Sequence, residues 1–140
     1  MNSLKKLMTL YQKRKDPIRY ARKIGVSVGE ECRFVSCPIF GSEPWLITIG
    51  NHVEITSDVK FITHDGSTWV FRGQEPFTKV IRFGKIAIGD NSFIGTRSTI
   101  MPGVHIGRNC IVGAGSLVTK SIPDGEVWGG ESRSLYNQNN

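Results

Sequence analysis

No apolar stretch in the 140 residues approaches the roughly 18–20 needed to cross a bilayer, so no transmembrane helix is expected. A secretory leader is not expected either: Lys5, Lys6, Leu7 and Met8 run into polar residues and not into an apolar core. Cysteine is scarce. Cys32, Cys37 and Cys110 form no C-x-x-C pair and no zinc-type spacing, which leaves free thiols and a cytoplasmic location as the expectation. Acidic residues are almost missing from the first 23 positions, where Asp16 stands alone against Lys5, Lys6, Lys13, Arg14, Lys15, Arg19, Arg22 and Lys23. That segment carries +7 of the overall +6, and the rest of the chain sums to −1. The body of the protein therefore offers no basic face for a nucleic acid.

What the sequence does have is a repeat. Aliphatic residues recur every six positions at Ile88, Ile94, Ile100, Ile106, Val112 and Val118. Glycine follows four of them directly, at Gly89, Gly95, Gly107 and Gly113. Four places after each aliphatic stands Ser92, Ser98, Val104, Cys110, Ser116 or Ile122. A helix would show a period of 3.6 and a simple strand a period of two. A period of six fits short strands joined by tight turns, the aliphatic residue pointing inward and the smaller one filling the corner. The glycines are expected to permit strained turn geometry. Three repeats make one triangular coil, so six make two.

A second run upstream keeps the same step, through Ile49-Gly50, Ile55 and Phe61, with looser members at Val28-Gly29 and Phe34. From Phe61 to Ile88 is 27 residues, which is not a multiple of six. Residues 67–85, with Trp69, Phe71 and Phe77, are therefore expected to leave the coil as an ordered loop that packs on something. At the front, Leu4, Leu7, Met8 and Tyr11 have helical spacing, Asp16-Pro17 reads as the start of a second short helix, and Gly25 closes it. The expected organisation is a basic helical segment at 1–23, one repeat domain at 24–130 and a polar, frayed tail at 131–140.

Several segments resemble the hexapeptide-repeat acyltransferases, and within them the galactoside and maltose acetyltransferase branch. They are Ile49-Gly50-Asn51, Phe61-Ile62-Thr63-His64-Asp65-Gly66, Ile88-Gly89-Asp90-Asn91, Met101-Pro102-Gly103-Val104 and the run from Val112 to Lys120. The resemblance covers roughly residues 24–123 and implies an all-β fold, a left-handed parallel β-helix with an extruded loop. It also implies a homotrimer with active sites between neighbouring coils, and acetyl-CoA as acyl donor to a sugar-like acceptor. The family ending Gly-Asn-Pro-Ala-Lys/Arg is replaced here by Gly129-Gly130-Glu131-Ser132-Arg133, so the Asn-Pro pair is missing.

Moving an acyl group from a thioester to a hydroxyl or amine needs a base, an oxyanion cradle and an aligned donor. Imidazole is the default base near neutrality. His64 is predicted on the outside of the coil, just before the loop, and corresponds to the family's catalytic histidine. His52 and His105 lie outside too, without an interruption beside them, and read as surface or interface residues. Asp65 is a candidate to orient His64 if the chain turns at Gly66, because neighbours on an extended segment otherwise diverge; a backbone carbonyl would serve equally. By resemblance Thr96, Ala114, Thr119 and Lys120 fall at the CoA groove. Glu43 and Trp45, with Trp69 and Phe71, are candidates to line the acceptor pocket, and Phe93 to sit over the site.

Three further readings compete. A non-catalytic β-helix scaffold would use the same coil. A zinc enzyme would need a metal site from His52, His64 and His105, whose spacing lacks a close histidine pair, and no metal is expected. The basic N-terminal segment reads either as a cap over the open end of the coil or as a weak contact with an anionic membrane surface.

Overall fold

The computed structural model describes residues 2–130. Two helices lead into a body of short strands. Helix α1 (Ser3–Lys15) starts where the Asn2 side chain accepts from the Lys5 N–H. Helix α2 (Pro17–Ile24) starts where Asp16 accepts from the Arg19 N–H, and it ends at Gly25, whose φ of 114° lies in the left-handed region. Pro17 suits a first helical turn because it has no N–H to leave unpaired. Ala21 is buried, with Ile18 and Ile24 packed against the same core, so α2 closes the front of the body. The Arg22 guanidinium donates to the carbonyls of Val28 and Gly29, satisfying acceptors at that end.

Behind the helices, twelve strands form three parallel sheets. The first holds β1 (Ser27–Val28), β3 (Ile47–Ile49), β8 (Ile86–Ile88) and β11 (His105–Ile106). The second holds β2 (Arg33–Phe34), β4 (Glu54–Ile55), β9 (Phe93–Ile94), β12 (Ile111–Val112) and β14 (Val127–Trp128). The third holds β5 (Lys60–Phe61), β10 (Thr99–Ile100) and β13 (Leu117–Val118). From β8 to β13 the chain visits first, second and third sheet in strict rotation. Ile88 pairs with Ile106, Ile94 with Val112 and Ile100 with Val118, each partner eighteen residues on. Three hexads therefore make one circuit. The six aliphatic positions are all buried, as are Ser92, Ser98, Val104, Cys110, Ser116 and Ile122 behind them. The buried serines have work to do: Ser92 and Ser98 donate to the carbonyls of Gly107 and Gly113 across circuits, at 2.9 and 3.1 Å.

The turns correct one expectation. The glycines after the aliphatic positions are not the residues with left-handed backbone; Asn91, Arg97 and Asn109, two places further on, carry it with φ of 54°, 62° and 56°. Gly89 and Gly95 serve instead for close approach between circuits. A Cβ on Gly95 would lie 2.4 Å from the Ala114 nitrogen, and one on Gly89 2.7 Å from the Arg108 nitrogen. Backbone cannot yield there as a side-chain tip can.

Two circuits are longer than eighteen. Val28 pairs with Ile49 and Ile49 with Ile88, so the first is enlarged by three residues and the second by twenty-one. Both enlargements fall at the same corner, between the third and first sheets, at residues 41–46 and 62–85. The larger one contains β6 (His64–Asp65) and β7 (Arg82–Phe83), an antiparallel pair closing its neck. Beyond the neck are 3-10 turns at Ser67–Phe71 and Phe77–Lys79. Trp69 and Phe71 remain 75% and 54% exposed, and Phe71 packs within the loop, its ring centroid 6.3 Å from that of Phe77. The polar tail at 131–140, including Arg133, lies outside the described residues.

Candidate active site

The coincidence of the two enlargements builds the site. In the smaller one, Gly41 takes a φ of 71° and a 3-10 turn at Pro44–Leu46 follows Glu43. Glu43 is thereby tucked against the corner, only 7% exposed. One circuit later the chain leaves β5 and its first exposed side chain is His64. The two meet: His64 Nδ1 lies 2.5 Å from Glu43 Oε1. A carboxylate can only accept, so Nδ1 carries the hydrogen and Nε2 is left as the free acceptor. The imidazole is about half open to solvent while its partner is buried. That is the arrangement of a base held in one tautomer and one orientation.

The neck of the loop supplies the other wall. Register in the β6–β7 pair puts Phe83 opposite His64, with the ring centroids 5.7 Å apart and tilted by 50°. The Gly84 N–H donates to the Thr63 carbonyl at 2.9 Å and closes the loop. Gly84 must be glycine, since a Cβ there would lie 2.3 Å from the Gly103 nitrogen.

Asp65 takes a different part from the one expected. Its Oδ1 accepts from the Ser67 N–H at 2.7 Å, fixing the turn into the loop, and its carboxyl is held below the usual range chiefly by that bond. The orienting contact to His64 belongs to Glu43. Alternation explains the outcome: Asp65 and His64 diverge, as neighbours on a strand do. Glu43, placed in the sequence among acceptor-lining residues, thus touches the imidazole. Trp45, two residues on, is 65% exposed.

The four residues placed at the CoA groove divide between two corners. Thr96 and Ala114 lie at the corner between the second and third sheets, stacked one circuit apart; the Gly115 N–H donates to the Thr96 carbonyl at 2.7 Å. Thr119 and Lys120 follow β13, at the same corner as His64 and two strands along the third sheet from β5. Parallel strands about 4.8 Å apart put β13 about 10 Å along the sheet from β5. All four are exposed.

The remaining histidines stand elsewhere. His52 Nδ1 pairs with Asn91 Oδ1 at 2.8 Å, and Asn91 donates in turn to Asn109, a ladder down the corner between the first and second sheets. His105 is on the outer face of β11. Among the described residues no group of three His, Cys, Asp or Glu side chains converges as a metal site.

Comparison with known proteins fits this geometry. Residues 85–120 match the family described as hexapeptide repeat of succinyl-transferase. Protein CapG of Staphylococcus aureus is 54% identical over 129 residues, which cover 91% of this chain and 74% of CapG. The chain belongs to the hexapeptide-repeat acyltransferase family. A second relative in it, the galactoside O-acetyltransferase of Lactococcus lactis, is 39% identical over 83 residues, covering 58% of this chain and 38% of that protein. Among solved structures, a galactoside acetyltransferase in complex with coenzyme A superposes with a TM-score of 0.55 at 23% identity, covering 96% of this chain and 80% of that one.

In this hexapeptide-repeat acyltransferase, two site features escaped the sequence reading. Phe83 lay in a stretch read only as loop, with nothing local to show that it would return opposite His64. The meeting of Glu43 with His64 leaves only a trace in the sequence. Phe34 and Ile49 are fifteen apart, also not a multiple of six, which marks a second break in phase around Glu43.

Proposed function

We propose that the protein transfers an acetyl group from acetyl-CoA directly to a hydroxyl or amine of a sugar or sugar-derived acceptor. The observation that carries this reading is the His64–Glu43 pair beside an exposed aromatic wall. The family and the galactoside relative support the substrate class. We further infer that the three sheets wind as a left-handed parallel β-helix, as in the acetyltransferases that the fold resembles.

The acceptor's O–H or N–H lies against His64 Nε2, which takes the proton as the acceptor oxygen or nitrogen attacks the thioester carbonyl. The new acyl bond forms, the C–S bond breaks, and the proton on His64 neutralises the departing thiolate of CoA. Glu43 holds the imidazole in the productive tautomer and stabilises the imidazolium formed in passing. Phe83 offers an apolar face to the ring of a sugar. No acyl-enzyme is required.

The protein acts as a homotrimer on this reading. Thr96 and Ala114 sit at one corner and Thr119 and Lys120 at another, so a groove between neighbouring subunits can draw on both sets. Phe93, Ile111 and Leu117, 37–47% exposed on the outer faces of the second and third sheets, are the apolar surface that association would cover. Lys120 meets the phosphates of CoA and Ala114 lies against the pantetheine arm. Thermal unfolding with and without acetyl-CoA tests the donor site. Near a hundred times the Kd, a binder is stabilised by about 2.7 kcal/mol, and His64→Ala should show a similar rise. A flat response in both proteins would favour the non-catalytic scaffold.

A further inference from the structure

The two N-terminal helices divide their labour. Helix α2 caps the core through Ala21, whereas helix α1 buries no residue. Leu4, Leu7, Met8 and Tyr11 nevertheless recur on α1 at the spacing of a single helical stripe, and all four are more than half exposed, Leu4 at 65% and Leu7 at 64%. Lys15 Nζ lies 5.5 Å over the Tyr11 ring, and the rest of the stripe, on a helix anchored at one end, has a partner to find. The anchoring is specific: Lys13 Nζ sits 5.2 Å over the Tyr20 ring, and Lys23 Nζ donates to Gln12 Oε1. These contacts tie the C-terminal end of α1 to α2.

Charge decides which partner. Helix α1 carries Lys5, Lys6, Lys13, Arg14 and Lys15 with no acidic residue, and α2 adds Arg19, Arg22 and Lys23. A second copy would bring another +7 segment against the first, so self-association through this face is opposed. A nucleic acid would match the charge but would leave four apolar side chains without cover. A bilayer surface with anionic headgroups meets both demands. Apolar side chains enter the acyl boundary while lysines and arginines remain at headgroup depth, and the long stems of Arg14 and Lys15 can follow the stripe and keep their charges in water.

We propose that α1 docks in the plane of an anionic phospholipid membrane, seating Leu4, Leu7, Met8 and Tyr11 below the headgroups and its basic side chains among them. The docked state is peripheral; no helix among the described residues is long and apolar enough to cross a membrane.

The test is flotation of the full chain with vesicles of phosphatidylcholine alone and of phosphatidylcholine with phosphatidylglycerol, at low and high salt. Flotation with the anionic vesicles only, lost at high salt, is expected. Replacing Lys5 and Lys6 by glutamine should weaken binding by about fivefold per charge. The pair Leu7→Asp and Met8→Asp should abolish it, while circular dichroism and oligomeric mass stay as in the wild type, since neither residue packs on the core. Absence of flotation at low salt would overturn the proposal. So would undiminished binding by the Leu7→Asp, Met8→Asp variant, which would make the contact purely electrostatic. A fall in oligomeric mass in that variant, without flotation of the wild type, would assign the stripe to a subunit interface instead.

Discussion

At the scale of single residues, the geometry at His64 separates roles that the sequence could only gather together. His64→Ala removes the proposed proton acceptor and should lower turnover by about 10²–10⁴-fold, read as acetylated product by mass spectrometry. Glu43→Gln keeps shape and burial but replaces the carboxylate with an amide. It should reduce kcat with little change in the KM for acetyl-CoA, because the carboxylate is hydrogen-bonded to the imidazole. Phe83→Ala should instead raise the KM for the acceptor and leave donor affinity alone. Asp65 lies outside this set. With its carboxyl held low by the Ser67 N–H, its contribution to stability is present above the unfolded value near 3.9 and is lost as pH falls through the folded one. Urea unfolding of wild type and Asp65→Ala should therefore differ at pH 6 and converge toward pH 3. A constant difference would show that the carboxylate's charge is irrelevant to that turn. Cys110 behaves in the opposite sense: burial pushes its thiol up, so the fold keeps it neutral and loses that advantage above about pH 9, where the unfolded chain ionises.

At the scale of elements, the hexads show how much a short pattern can specify. Most contribute a two-residue strand with one side chain inward, then a four-residue corner whose third residue is left-handed at Asn91, Arg97 and Asn109. Inward positions such as Ile100 are wholly buried, and Ile100→Ala should cost about 2–5 kcal/mol in denaturant unfolding. Gly95→Ala tests the reason offered for the glycines. It should destabilise markedly although its φ lies outside the left-handed region, because the added carbon meets the Ala114 nitrogen on the next circuit. A neutral result would restore the conformational explanation. The strand positions, the inward residues and the break after Phe61 were all legible, since a period of six survives in the chain as plain arithmetic. So were the helix signals at Asp16, Pro17 and Gly25. What a linear reading could not supply was contact between circuits: the crowding of glycine against backbone, the return of Phe83 opposite His64, and the reach of Glu43 across the corner. Those depend on which residues become neighbours only after the chain has gone round once.

At the scale of the whole molecule, the two phase breaks matter more than the regular coil. Twelve paired strands make a three-sided prism, and both departures from it fall at one corner, where the carboxylate of one circuit meets the imidazole of the next. The prism still exposes apolar residues on two of its faces. Light scattering should report three copies per particle, and Ile111→Asp, on the outer face of β12, should lower that number. A wild-type monomer would leave the two pairs of residues proposed for the donor site without a common groove. The central claim, that His64 backed by Glu43 drives transfer from acetyl-CoA, is tested most directly by one paired measurement. Acetyl-CoA binding by calorimetry and acetyl transfer to a panel of sugars would be followed for wild type and His64→Ala together. The account predicts equal donor affinity in both proteins and product from the wild type alone. Product from His64→Ala at the wild-type rate, or no donor binding by either protein, would contradict it.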